Sequence, residues 1–254
     1  MKKFFLILIA LILILSSAAG IANEITKVYV YGKPFIINKD TAIIDGRIQS
    51  GVSTMPIPAG MEVETVSSAA AATVRVTAFA GAGRANTGGS GFNLSPEGLI
   101  ITCAHVVDEA KSVRVTFRSG ASFPVTVKAI DSQKDVAILS LDVPRDDLPA
   151  VALGDSLDVR VGDEIVILGY PLGDFLVTAG TIERLSPPAQ GDYLAPTLHI
   201  SAAVMQGNSG GPVLARDGKV VGIITGSYTR QTDSQTHRFG VAVPINEATR
   251  LLNN

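Results

Sequence analysis

From residue 61 onward the chain is a procession of short segments of strand length, at 73–79, 98–102, 113–117, 123–130, 136–141, 164–168, 175–185, 218–225 and 239–243, with Gly, Pro, Asp or Ser in nearly every gap. Many short strands at regular spacing close into sandwiches or barrels, and no other feature restricts the architecture as much. Helical periodicity is confined to a stretch near Ala69 and to the last residues, where Pro244 and Asn246 open a predicted helix running to Leu252. The reading is all-β, and about 190 residues suffice for two small barrels in tandem. Cys103 is the only cysteine, so no intrachain disulfide forms and packing alone must hold the fold. It sits in an apolar run and reads as a small buried hydrophobe.

Three regions are expected. Lys2 and Lys3 precede an apolar run from Phe4 to Leu15 and the small residues Ser16 to Gly20, the layout of a secretory signal over 1–22. Cleavage after Ala22 or Gly20 fits the small-residue rule; left uncut, the same stretch would anchor the chain to a membrane. Residues 23–62 read as an extension with a small hairpin and a Gly/Ser/Pro linker, and 63–254 as the main domain. The Gly-rich run 81–91 reads as low complexity. The chain carries 21 Lys+Arg against 23 Asp+Glu; without Lys2 and Lys3 the balance is 19 against 23, a net charge of −4. A mildly acidic exported chain does not read as a nucleic-acid binder.

Gly207-Asn208-Ser209-Gly210-Gly211-Pro212-Val213 places a hydroxyl among glycines just before an apolar strand. Such a turn can aim the amides of Gly207 and Ser209 into one small space, where the oxygen of an attacked carbonyl becomes negative. A serine hydroxyl needs a base, and the chain has three histidines. His105 follows a strand in a setting with few polar neighbours; His199 lies in a strand-like run and His237 in a polar loop. The base needs a buried carboxylate to fix its tautomer. Asp135 opens the apolar run Val136-Ala137-Ile138-Leu139, whereas Asp131 reads as a turn residue. Three scattered histidines and one cysteine offer no metal-ligand spacing, and no cofactor is expected.

His105 in TCAHVV, Asp135 in DSQKDVAIL and Ser209 in GNSGGPV, in that order, resemble the triad of trypsin-like peptidases of the bacterial HtrA/Deg type. Gly89-Ser90-Gly91-Phe92, LGDS, VGDEIVILGYP, TAGTIERL and GKVVGI support the match over about residues 64 to 252. The resemblance implies two six-stranded antiparallel β-barrels with a short C-terminal helix, the active site in the seam, and hydrolysis of extended or unfolded polypeptides through an acyl-enzyme. It implies oxyanion donors at Gly207 and Ser209, and a substrate-pairing edge at Thr225, Gly226 and Ser227. Ala203, within Ala202–Met205, is expected to line a pocket that lacks a carboxylate and so prefers apolar side chains.

Departures from the family pattern matter as well. Gln206 stands where those proteins usually have proline, and the sequence stops at Asn254, so no PDZ module is expected. Polypeptide substrates, a periplasmic or extracellular location and a possible homo-oligomer complete the expectations. Two rivals are an α/β-hydrolase, since GNSGG also satisfies G-x-S-x-G, and a catalytically silent scaffold that binds polypeptides. The hydrolase needs a histidine after the serine, which leaves only His237 in a polar loop, and alternating helices, which this sequence lacks.

Overall fold

The computed structural model describes residues 26–30, 33–37, 42–44, 47–49, 61–81, 84–187, 196–231 and 236–253. The expected signal and linker lie outside these residues. Among the described residues no helix is long and apolar enough to cross a membrane. The extension forms two antiparallel hairpins where one was expected, β1 (Thr26–Val30) with β2 (Lys33–Ile37) and β3 (Ala42–Ile44) with β4 (Arg47–Gln49).

Helix α1 (Val63–Ala72) leads into the first barrel, made of β5 (Thr73–Gly81), β6 (Arg84–Asn93), β7 (Leu99–Thr102), β8 (Ser112–Phe117), β9 (Ser122–Asp131) and β10 (Val136–Leu141). A single helical turn, α2 (Ala104–Val107), follows β7. The second barrel is made of β11 (Glu164–Gly169), β12 (Leu176–Ser186), β13 (Thr197–Ile200), β14 (Pro212–Leu214), β15 (Val220–Gln231) and β16 (Thr236–Pro244). Both barrels are closed, in the orders β10-β7-β6-β5-β8-β9 and β11-β12-β13-β16-β15-β14. Helix α3 (Ile245–Leu252) starts directly after Pro244 and leans back on β9 and β10 of the first barrel. The expected all-β architecture with two six-stranded barrels and a short terminal helix is the one observed.

The apolar runs explain how the barrels join. Along β11 successive side chains point to opposite faces: Ile165 and Ile167 belong to the apolar cluster filling the second barrel, while Val166 and Leu168 belong to the cluster that fills the first barrel and continues into the seam. Val213 and Leu214 on β14 divide the same way. A strand buried on both faces must read as continuously apolar, as EIVILG does.

The Gly-rich run read as low complexity is strand β6, a correction with a physical cause. A Cβ on Gly91 would lie 2.9 Å from the Ile101 carbonyl, and one on Gly89 would lie 2.7 Å from Val106 and 2.8 Å from the Ser209 carbonyl. Gly89 is where the second barrel's serine turn closes onto the first barrel, while Gly91 leaves room for β5 and β7 inside the first, so the strand forms without the side chains that usually announce one.

Candidate active site

His105 stands on α2, immediately after β7, with its ring half exposed. Its Nδ1 lies 2.9 Å from both carboxylate oxygens of Asp135, and its backbone amide donates to Asp135 Oδ1 at 2.9 Å. Asp135 reaches this position because the turn between β9 and β10 is held by Asp131, whose Oδ1 accepts the amides of Gln133 and Lys134. Asp135 itself adopts a left-handed backbone, φ 57°, before β10 begins. Such a conformation is uncommon outside glycine, though aspartate tolerates it better than most residues. Burial alone would raise its carboxyl pKa; the hydrogen bonds from His105 and from the Thr225 hydroxyl outweigh burial and hold it below the ordinary aspartate value.

Thr225 arrives by a different device. The β15–β16 register shifts between Ile224 and Gly226, so Thr225 is an extra residue on its strand. A bulge re-aims a side chain, and here the Thr225 hydroxyl donates to Asp135 Oδ2 across the seam. The sequence marked Thr225 only as part of a substrate edge; no local pattern announces the bulge.

The serine turn comes from the second barrel. Gly207 has φ 97°, and a Cβ there would lie 2.5 Å from the Tyr170 carbonyl. The amides of Asn208, Gly210 and Gly211 donate to the carbonyls of Met205, Ile224 and Asn208. Those of Gly207 and Ser209 make no hydrogen bond among the described residues. Their orientation follows from the carbonyl on the other side of each planar peptide. The Gln206 carbonyl accepts the Leu172 amide at 3.0 Å, and the Asn208 carbonyl accepts the Gly211 amide at 2.8 Å. Each carbonyl is thereby turned inward, and the N–H of the following residue points the opposite way. The Ser209 hydroxyl donates to the Thr225 carbonyl at 3.3 Å, and among the described residues it makes no hydrogen bond to the imidazole. Even so, Ser209, Gly207 and His105 border the same open cleft.

Ser90 locks this turn to the first barrel, a role the sequence did not disclose although its GSGF setting was noted. The Ser90 amide donates to the Ser209 carbonyl at 2.7 Å, and its hydroxyl donates to the Gly207 carbonyl at 2.6 Å while accepting the Tyr170 amide at 2.8 Å. Of the expected pocket residues, Ala202 and Val204 are buried in the second barrel's core and Ala203 is exposed beside them. Gly226 and Ser227 pair with Val241 and Gly240 on β16, and β14 pairs with β15 only as far as Ile223. Buried His199 stands on β13 among Arg184, Ser186 and Thr197; burial, then Arg184, lowers its pKa. The side chain of His237 lies outside the described residues. Cys103 donates its thiol to the Ile224 carbonyl at 3.1 Å, and burial pushes its pKa well up, so it stays a protonated donor in the seam.

Two closed barrels with an imidazole and a carboxylate from one and a hydroxyl among glycines from the other define a chymotrypsin-like fold, and the chain belongs to the trypsin-like peptidase domain family, which residues 89–223 match. Among curated proteins it is 37% identical over 158 residues to a probable periplasmic serine endoprotease DegP-like of Halomonas elongata, covering 62% of this chain and 33% of that one. It is 38% identical over 146 residues to serine protease HTRA2, mitochondrial, of Bos taurus, covering 56% and 32%. The chain thus spans about a third of the length of these relatives. Among solved structures it resembles the HtrA-type protease AlgW with tripeptide, at TM-score 0.65 and 29% identity over 74% of this chain and 61% of that one. The serine endoprotease from Yersinia pestis follows at TM-score 0.61 and 27% identity, over 75% and 64%.

Proposed function

We propose that this chain is an exported serine endopeptidase that cuts extended or unfolded polypeptides in extracytoplasmic protein quality control or processing, with Ser209 as nucleophile, His105 as general base and acid, and Asp135 as the group that orients and stabilises the imidazole. The observation that carries this reading is the His105–Asp135 pair, at 2.9 Å through Nδ1, beside a cleft bordered by Ser209 and by Gly207, whose amides point away from the inward-turned carbonyls of their turn.

In this mechanism the Ser209 hydroxyl swings from the Thr225 carbonyl to His105 Nε2, gives up its proton there, and its oxygen bonds to the substrate carbonyl carbon. The carbonyl oxygen becomes an oxyanion, and the amides of Gly207 and Ser209 receive it. The imidazolium, stabilised by ionised Asp135, passes its proton to the leaving nitrogen as the C–N bond breaks. Water then gives its proton to His105, attacks the acyl group, and Ser209 is regenerated when that proton returns to its oxygen. The segment Thr225–Ser227 supplies the edge along which the acyl half of an extended substrate pairs. Ala203 borders the pocket of the residue before the cut, and the absence of a carboxylate from Ala202–Met205 favours apolar side chains there.

A polypeptide-binding scaffold without turnover draws on one observation, the engagement of the Ser209 hydroxyl by the Thr225 carbonyl. A fluorophosphonate probe separates the two readings. We expect labelling of the purified protein that disappears in Ser209→Ala and His105→Ala; a folded wild-type protein that labels under no condition overturns the peptidase reading in favour of the scaffold.

A further inference from the structure

Among the described residues, one set of three metal-ligating side chains converges. Cys103 Sγ, His105 Nδ1 and a carboxylate oxygen of Asp135 all lie within 4.8 Å of one another. Cys103 and Asp135 are buried, whereas the His105 ring is half exposed. Sequence spacing gave no sign of this group. Cys103 follows β7 and Asp135 precedes β10, and it is the pairing of those two strands that sets them side by side.

The proposed reaction gives the Cys103 thiol no part, and packing asks only for a small side chain at that position. Its donation to the Ile224 carbonyl at 3.1 Å is dispensable, because that carbonyl also accepts the Gly210 amide at 2.7 Å. Thiolate sulfur, imidazole nitrogen and carboxylate oxygen are together the ligand types that zinc takes. Around a tetrahedral zinc ion such atoms sit about 3.3–3.6 Å apart. The imidazole and the carboxylate, now at 2.9 Å, would part slightly, and the sulfur would move in. Charge favours the ion as well, since a thiolate and a carboxylate cancel its two positive charges inside a buried seam. The carboxylate is already oriented by the His105 amide, which donates to Oδ1 at 2.9 Å, and by the Thr225 hydroxyl, which donates to Oδ2.

We propose that Cys103, His105 and Asp135 form an inhibitory zinc site, which the ion enters as the half-exposed His105 ring turns outward, and that zinc switches the triad off by occupying Nδ1. Three protein ligands leave one position on the metal for water. On binding, the Cys103 thiol gives its proton to solvent, and the neutral imidazole, bonded to zinc through Nδ1, carries its single proton on Nε2. That nitrogen can then no longer take the Ser209 proton, and Asp135 serves the metal instead of the ring. Nothing is oxidised or reduced. Removal of the ion returns a proton to Cys103 and restores the Nδ1–Asp135 hydrogen bond, so the inhibition is reversible. The site itself follows from the convergence of the three side chains; only its inhibitory effect rests on the peptidase reading above.

The test takes the full chain, stripped with a chelator and titrated with zinc, beside Cys103→Ser and Cys103→Ala. Serine keeps the size of the side chain and a hydroxyl for the Ile224 carbonyl, but it is a poor zinc ligand. Each protein is measured against its own metal-free rate of fluorophosphonate labelling. Wild-type labelling is expected to fall about tenfold or more as zinc binds and to return with chelator, and both variants should need about a hundredfold more zinc for the same loss. Cobalt(II) supplies a readout that does not depend on activity. Cys103 is the only cysteine of the chain, so a thiolate-to-cobalt charge-transfer band in wild type, absent from both variants and bleached by zinc, assigns the metal to Cys103. Zinc that slows wild type and variants at the same concentration, or cobalt that produces no such band, overturns the site. Should the variants fail to fold, the wild-type band and its loss to zinc still decide. A band accompanied by undiminished labelling at saturating zinc overturns the inhibition. A wild-type protein that shows the band yet labels neither with zinc nor without it keeps the metal site and removes the peptidase reading.

Discussion

Asp135 carries three constraints at once: a left-handed backbone, burial, and a carboxylate that accepts hydrogen bonds from the His105 ring and amide and from the Thr225 hydroxyl. Because its native pKa lies below the usual value, which is about 3.9 in an unfolded chain, its ionised form stabilises the fold fully above about pH 4. That contribution disappears as pH falls through the lower native value. Comparing urea midpoints of wild type and Asp135→Asn from pH 7 to pH 2 should show a gap that closes below about pH 4; a gap constant across the range would refute the linkage. At neutral pH the same variant, presenting the wrong hydrogen-bonding group to Nδ1, is expected to lose on the order of 10⁴-fold in peptide turnover. The sequence disclosed Asp135 because an apolar strand follows it and drags it inward. It could not disclose Thr225 as a partner, because the residue reaches the carboxylate through a one-residue bulge that no composition marks.

At the scale of elements, β6 shows how a functional demand can hide a strand. Pattern reading looks for branched and aromatic residues, and here glycines replace them, Gly89 so that the serine turn can approach and Gly91 so that the neighbouring strands can. Strands such as β8 and β10 were legible with ends at or within a residue of those observed, since their burial depends on their own alternation or apolarity. Within β6, Ser90 joins the first barrel to the turn that carries the candidate nucleophile. Ser90→Ala would strand the Gly207 carbonyl and the Tyr170 amide in a buried setting, at a cost of about 1–3 kcal/mol by denaturant titration. The same change releases one of the restraints on the Gly207 turn, so the fluorophosphonate labelling rate should fall even at temperatures where the variant is fully folded. A variant that labels at the wild-type rate would show that the turn holds its shape without the Ser90 hydroxyl.

At the scale of the molecule, the two barrels are joined by one continuous apolar cluster and by a helix that starts in the second barrel and rests on the first. Glu247 on α3 is only 3% exposed and meets Lys134 at 3.1 Å, the residue just before Asp135, while Arg250 binds its other oxygen. Lys134 is a third exposed but Glu247 is buried, so removing Lys134 alone costs more than removing both, because the carboxylate keeps its desolvation penalty. Lys134→Met is therefore expected to lower stability by about 1–3 kcal/mol, and adding Glu247→Leu should restore most of it; additive losses in the urea titration would argue against this account. The two-barrel architecture was legible through the family resemblance that the ordered motifs carry, whereas strand spacing alone left sandwiches and barrels open. This ion pair was not, because its members lie more than a hundred positions apart and meet only once both barrels have closed.

The division of labour across the seam bears on how such a chain is made. The imidazole and its acid sit in the half that leaves the ribosome first, but the hydroxyl, its flanking amides and the strand that closes their barrel emerge later. A partly synthesised copy would then hold a finished first half with nothing to cut with. Under the proposed function, the onset of labelling during synthesis or refolding would time the docking of the two halves, not the folding of either, and the growing polypeptide would be spared its own chemistry until both halves are made.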